Sequence, residues 1–197
     1  MTILKEVKSY CIGILEGNTC KNLTYHNLSH TSEVVEQLKK MLTHFDISSS
    51  DAELLIIAGW FHDVGFCETY IGHEDESIRL AHQFLQNSGY GTDKIKAVLS
   101  CIEATKMPQK PKNMLEQMLC DSDLFHLGKH NFFQRNEILR LEWANECGKI
   151  FTDQEWYIMN LEFLKNHTFF TNYARKELKK GKQINIDKLQ KLIDSNN

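Results

Sequence analysis

Leu54-Leu55-Ile56-Ile57-Ala58-Gly59-Trp60-Phe61-His62-Asp63 is the stretch on which the reading of this chain turns. The run up to Phe61 is apolar all round, which suits a central helix buried on every side rather than a surface helix with one apolar stripe. It ends in an imidazole beside a carboxylate. An ionised carboxylate buried without a partner is costly, so the pair calls for something that neutralises it. A divalent cation is the simplest such partner. Upstream, Tyr25-His26-Asn27-Leu28-Ser29-His30 offers further nitrogen ligands. The expectation is a metal site inside a helical protein.

Working outward, Ser50-Asp51-Ala52-Glu53 matches a capping box and predicts the start of this helix, with Gly65 ending it. From Thr31, the residues Val34, Val35, Leu38, Met41, Leu42 and Phe45 recur at helical spacing, and Ser48-Ser49-Ser50 breaks the pattern. Helical period resumes from Glu74 to Ser88, and again after Gly89-Tyr90-Gly91 with Thr92 as expected N-cap. Met107-Pro108-Gln109-Lys110-Pro111 reads as a connector, followed by a helix from Met114 that ends near Gly128. Further amphipathic stretches run from Asn136 to Cys147 and from Asp153 through Leu164. The lysines and Arg175 of the tail after Tyr173 read as a solvated helix end.

With 197 residues, no internal repeat and no low-complexity linker, the chain is expected to form one compact all-α domain. A net charge of −3 gives no electrostatic case for a nucleic-acid partner. No apolar stretch approaches the roughly 20 residues of a membrane span. Cys11-Ile12-Gly13-Ile14-Leu15 is too short for a signal peptide. A cytoplasmic location without membrane contact is therefore expected. The six cysteines show no C-x-x-C pair, and a disulfide framework is not expected in a chain of this size.

Ligand-type residues fall in three places: His26 and His30, then His62-Asp63, then Asp121-Ser122-Asp123. Singly each has an ordinary structural explanation, such as a hydrogen-bonded core histidine or a capping aspartate. Three such clusters on three helices of one domain are harder to ascribe to surface composition. Imidazole and carboxylate together suit Mn, Fe, Zn, Co or Ni, and less well Mg. Adjacent helix positions diverge by about 100°, so His62 and Asp63 can share an ion only if it lies off the helix end. Asn27 or Ser29 as a cap would put His30 in a rigid first turn.

Tyr25-His26-Asn27-x-x-His30, His62-Asp63-Val64-Gly65 and Asp123 before Leu124 resemble the H…HD…D pattern of the HD superfamily of metal-dependent phosphohydrolases. The resemblance implies a five-helix core over about residues 20–130, with further helices over about 131–197. It implies His30, His62, Asp63 and Asp123 as ligands of one divalent ion, and it selects Asp123 over Asp121, which helical phase does not. The first motif is also similar to the cyclic-nucleotide phosphodiesterase branch, in which the residue matching His26 protonates the leaving oxygen. His26 and Asp63 are thus the catalytic candidates, with a metal-activated water as nucleophile.

The expected substrate is a phosphoester of a nucleotide or another small phosphorylated metabolite. His73, Arg79 and Lys106 are candidate substrate contacts, although Asp75 could pair with Arg79 and acidic neighbours could hold His73. No histidine lies between Gly91 and Cys120, which weakens a two-metal site and with it an iron-dependent oxygenase. The remaining alternative is an inactive HD domain that binds a nucleotide or a protein. Oligomeric state and the role of the region after Gly128 are not encoded legibly.

Overall fold

The computed structural model describes residues 2–195, and among them every regular element is helical, as the sequence predicts. The chain divides into two compact units, one ending at Asp123 and the other beginning at Leu124. The first carries α1 (Ile3–Leu15), α2 (Leu28–Leu42), α3 (Ser49–Phe61), α4 (His73–Asn87), α5 (Thr92–Glu103) and α6 (Met114–Asp123). Two short 3-10 turns, Asn18–Cys20 and Val64–Cys67, follow α1 and α3.

Helix α3 is the centre of this unit and packs against α1, α2, α5 and α6. All its residues from Leu54 to Phe61 are buried, and each large apolar side chain among them contributes about 1.5–3 kcal/mol by leaving water. Gly59 sets how closely α2 approaches: a Cβ there would lie 2.6 Å from Leu38 Cδ1. The N-cap is Ser48 rather than Ser50, its side chain accepting from the Asp51 amide at 3.0 Å. Three consecutive serines have equal capping propensity, and the helix takes the one that gives it the longest run.

Gly65 does not end α3, which has already stopped at Phe61 with His62 as its cap. The glycine serves close approach instead. A Cβ on it would sit 1.9 Å from the His73 carbonyl oxygen and 2.7 Å from the Ser77 amide nitrogen. Its own amide donates to Ser77 Oγ at 2.9 Å, so the start of α4 docks directly on the turn behind Asp63.

Other boundaries shift similarly. Gly91, not Thr92, precedes α5 as its cap. The helix from Met114 stops at Asp123. Contrary to expectation, Cys20 and Cys67 are joined by a disulfide, with Cα atoms 4.8 Å apart. Nothing in their local sequence links them, because the folding of α1 and α3 brings the two turns together.

The second unit contains a 3-10 turn, Phe125–Gly128, then α7 (Phe132–Cys147), α8 (Asp153–Asn166) and α9 (Asn172–Ser195). Helix α7 begins a turn earlier than its apolar pattern predicts, and the basic tail forms a helix of 24 residues. Helix α9 meets the turn at two glycines, where a Cβ on Gly181 would lie 1.9 Å from the Gly128 carbonyl oxygen. Thr152 and Glu155 complete a capping box at the start of α8.

Candidate metal centre

Three local devices aim side chains at one point in the first unit. At the head of α2, Asn27 is the N-cap, its Oδ1 accepting from the amides of Ser29 at 2.9 Å and His30 at 3.3 Å. Its Nδ2 donates back to the carbonyls of Leu23 and Thr24. The asparagine thus ties the incoming loop to the first turn, and His30 is buried with a fixed backbone.

At the end of α3, His62 Nδ1 lies 2.9 Å from the Gly59 carbonyl oxygen. A carbonyl can only accept, so Nδ1 carries the hydrogen and, in the neutral ring, Nε2 keeps its lone pair. Asp63 leaves helical geometry, with φ −115° and ψ 1°. That departure swings the next side chain round to the same side as His62. Asp123, the last residue of α6, completes the group. Asp121 is fully buried and does not belong to it.

One ligating atom from each of His30, His62, Asp63 and Asp123 lies within 4.8 Å of the others. Among the described residues this is the one such grouping of three or more metal-binding side chains. His30 Nε2 is 3.2 Å from Asp63 Oδ2 and 3.2 Å from Asp123 Oδ1. His62 Nε2 is 3.2 Å and 3.6 Å from the same two oxygens. Two ligands at right angles on a common ion, each bonded at about 2.1 Å, would stand about 3 Å apart. Moreover, His62 Nε2 and Asp63 Oδ2 are buried and find no hydrogen-bond partner outside the four residues. The residues therefore fit a divalent ion.

The electrostatics show how tightly the four are bound together. Burial, the largest single influence on each group, favours the neutral forms, yet the mutual attraction outweighs it. Hydrogen bonds and charge from Asp123 and Asp63 push His30 up, and the same carboxylates push His62 well above its ordinary value. The histidines in turn hold Asp63 and Asp123 well below the usual carboxylate range. In the absence of an ion, protons on the imidazoles balance the carboxylates, and an ion must displace them.

His26 is not one of the four. Its ring stacks on Phe66 at 3.9 Å, and Phe66 stacks in turn on His73 at 3.5 Å. One phenyl ring thus sits between two imidazoles, a role that no local motif marks. His73 Nε2 lies 3.6 Å from Asp63 Oδ1, the carboxylate oxygen not shared with His30 and His62. Arg79 pairs with Glu76 at 2.6 Å rather than with Asp75, on an exposed face of α4. Asp75 instead holds Lys106 at 2.7 Å, and Glu103 holds the same ammonium at 2.9 Å.

Among known proteins, the profile of the HD domain matches residues 27–128, a span that contains all four clustered residues and begins just after His26. A solved structure described as a predicted HD superfamily hydrolase, from an uncultured Thermotogales bacterium, has a similar fold. The TM-score is 0.65 at 17% identity, over 98% of this chain and 93% of that one. No curated protein matches the sequence. No helix among the described residues is long and apolar enough to cross a membrane.

Proposed function

This chain belongs to the HD domain family, and on that footing we propose that it is a metal-dependent phosphohydrolase acting on a phosphoester of a nucleotide or another small phosphorylated metabolite. The observation that carries the proposal is the largely buried cluster of His30, His62, Asp63 and Asp123, in which two ligand atoms have no hydrogen-bond partner outside the cluster. In this reading the four residues hold one divalent ion. Such an ion lowers the pKa of a bound water toward neutrality and offsets charge on phosphoryl oxygens.

The protein's own residues divide the remaining work. His26, held against Phe66 and outside the cluster, is the proton donor to the leaving oxygen. An imidazole suits this task because its ordinary pKa is near neutrality. Asp63 turns one oxygen to the histidine pair and the other toward His73, so it orients His73 as a phosphate contact. Lys106 is the next nearest cation in this chain of contacts, through Asp75, two residues beyond His73. Arg79 is engaged with Glu76 on an exposed face of α4.

The test is elemental analysis of the purified protein together with a panel of nucleotide and sugar phosphoesters. Each substrate is assayed with Mn, Co or Ni and again with chelator. Chelator-sensitive phosphate release on at least one class is expected. No chelator-sensitive turnover across a broad panel, with metal bound, would leave a binding role in place of hydrolysis.

A further inference from the structure

The Cys20–Cys67 disulfide spans 47 residues of sequence, and both of the segments it joins lead into the candidate metal centre. We propose that this bond is a redox latch on that centre: closed, it seats Phe66 between His26 and His73, and opened, it releases that wedge. The proposal rests on the reading of the cluster as a metal centre.

Position is the first argument. Cys67 ends the turn Val64–Cys67, which begins immediately after Asp63. Cys20 ends the turn Asn18–Cys20, from which the chain runs directly to His26 and the Asn27 cap. The bond therefore ties the segment carrying the proton-donor candidate to the segment carrying two ligands. Phe66 is the covalent neighbour of Cys67 and stacks on His26 and His73 at interplanar angles of 19° and 17°. Tyr70 packs on its edge at 4.9 Å. Any movement of the Cys67 backbone is passed to both imidazoles through one ring.

Provision for the opened state is the second argument. The Ile14 carbonyl oxygen lies 3.1 Å from Cys20 Sγ and 3.9 Å from Cys67 Sγ. Each thiol, once formed, thus has an acceptor waiting, and neither is left buried without one. The other buried thiols are unlike this pair: Cys11, Cys101 and Cys120 are in no disulfide, and burial pushes the Cys101 thiol up to about 12. Thiols so protected are poor partners in exchange.

Opening is an ordinary thiol–disulfide exchange with a cellular thiol such as glutathione or a protein dithiol. A thiolate of the reductant attacks one sulfur, the Cys20–Cys67 bond breaks, and a mixed disulfide forms. A second thiolate then closes the reductant's own disulfide. Two electrons pass to the protein, and the two protons of the reductant's thiols end on Cys20 and Cys67.

The experiment equilibrates the full chain in buffers of oxidised and reduced glutathione. Alkylation and peptide mass spectrometry read each cysteine, Co2+ titration followed by visible absorption reads the centre, and imidazole NMR reads His26 and His73. Cys20 and Cys67 should change state together while Cys11, Cys101 and Cys120 stay as thiols. Reduction should shift the His26 and His73 resonances and weaken Co2+ binding at least threefold. Cys20→Ser should show the reduced pattern in every buffer, and Phe66→Leu should bind Co2+ equally in both redox states. Free thiols at Cys20 and Cys67 at every glutathione ratio, or Co2+ affinity and imidazole spectra that ignore the redox state, would overturn the latch. Failure to bind Co2+ in either state would instead overturn the metal-centre reading beneath it.

Discussion

In the unit that ends at Asp123, His62 Nε2 and Asp63 Oδ2 are buried, lie 3.2 Å apart and have no hydrogen-bond partner outside the cluster. In the unit that begins at Leu124, the buried amides of Asn136, Asn160 and Asn185 are all engaged. Asn136 Nδ2 donates to Asn160 Oδ1 at 2.6 Å, Asn160 Nδ2 to the Trp156 carbonyl at 2.8 Å, and Asn185 Nδ2 to the carbonyls of Leu127 and Lys129. A neutral amide without a partner costs about 1–3 kcal/mol when buried, and here the backbone removes that cost. A charged group without one costs more, so a cluster left open to a central point is kept for something that binds there. These asparagines use polar burial to fix structure, whereas the four clustered residues use it to form a candidate site.

The strongest attack on this contrast is Asp63→Ala. Removing one oxygen ligand should weaken metal binding by more than the roughly 10–100-fold that outer partners are worth, enough to leave the purified variant metal-free. Elemental analysis after gel filtration reads this directly, and a metal content equal to wild type would mean the cluster is not the binding site. His26→Ala is the next largest. It should retain the metal and lose turnover by roughly 10²–10⁴-fold, the usual worth of a positioned proton donor. Joint loss of metal and turnover would make His26 a ligand and redraw the centre.

The residues of that contrast differ in how far the sequence reveals them. Capping and apolar period place His30, His62, Asp63 and Asp123 near helix ends, but their meeting at one point is implied only by the resemblance to the HD pattern and is seen in the coordinates. Choosing Asp123 over Asp121 required either a family pattern or coordinates, since both flank the same apolar stripe of α6. Phe66 carries no mark, because an aromatic residue in an apolar turn is ordinarily core, and only the three-dimensional path of α4 brings His73 against it. The Cys20–Cys67 pairing is equally silent, being set by how two distant turns meet. Arg79 illustrates a different obstacle. Glu76 and Asp75 both lie within reach on the helix, and Asp75 is taken by Lys106, which the sequence places 31 residues away.

From the structural side, Asn185→Ala sharpens the comparison. It removes the donor to two backbone carbonyls at 2.9 Å and 3.0 Å and leaves a small void, at a combined cost of about 2–3 kcal/mol. Urea denaturation should show a lower midpoint, and metal content should be unchanged. A variant as stable as wild type would mean that the Asn185 amide is dispensable to the second unit.

The smallest effect concerns His167, a half-buried histidine of the second unit. His167 follows α8, and burial, followed by the nearby Lys182 charge, lowers its pKa to about 4. Lys182 Nζ lies 3.5 Å from its Nδ1 and also donates to its carbonyl, the Phe169 ring packs at 4.7 Å, and Nε2 has no hydrogen-bond partner. Because the folded-state pKa is depressed, the unfolded chain binds the proton first as pH falls. Above about 6.5 both states are neutral and the group contributes no slope. Between about 6.5 and about 4 the folded state loses ground, by roughly 1–2 kcal/mol at pH 5 once partial exposure of the ring is allowed for. His167→Gln removes the titration but keeps a polar side chain. The difference in urea midpoint between wild type and this variant should therefore move in the variant's favour from pH 7 to pH 5. A difference that stays constant with pH would show that burial and the Lys182 charge do not hold this imidazole neutral.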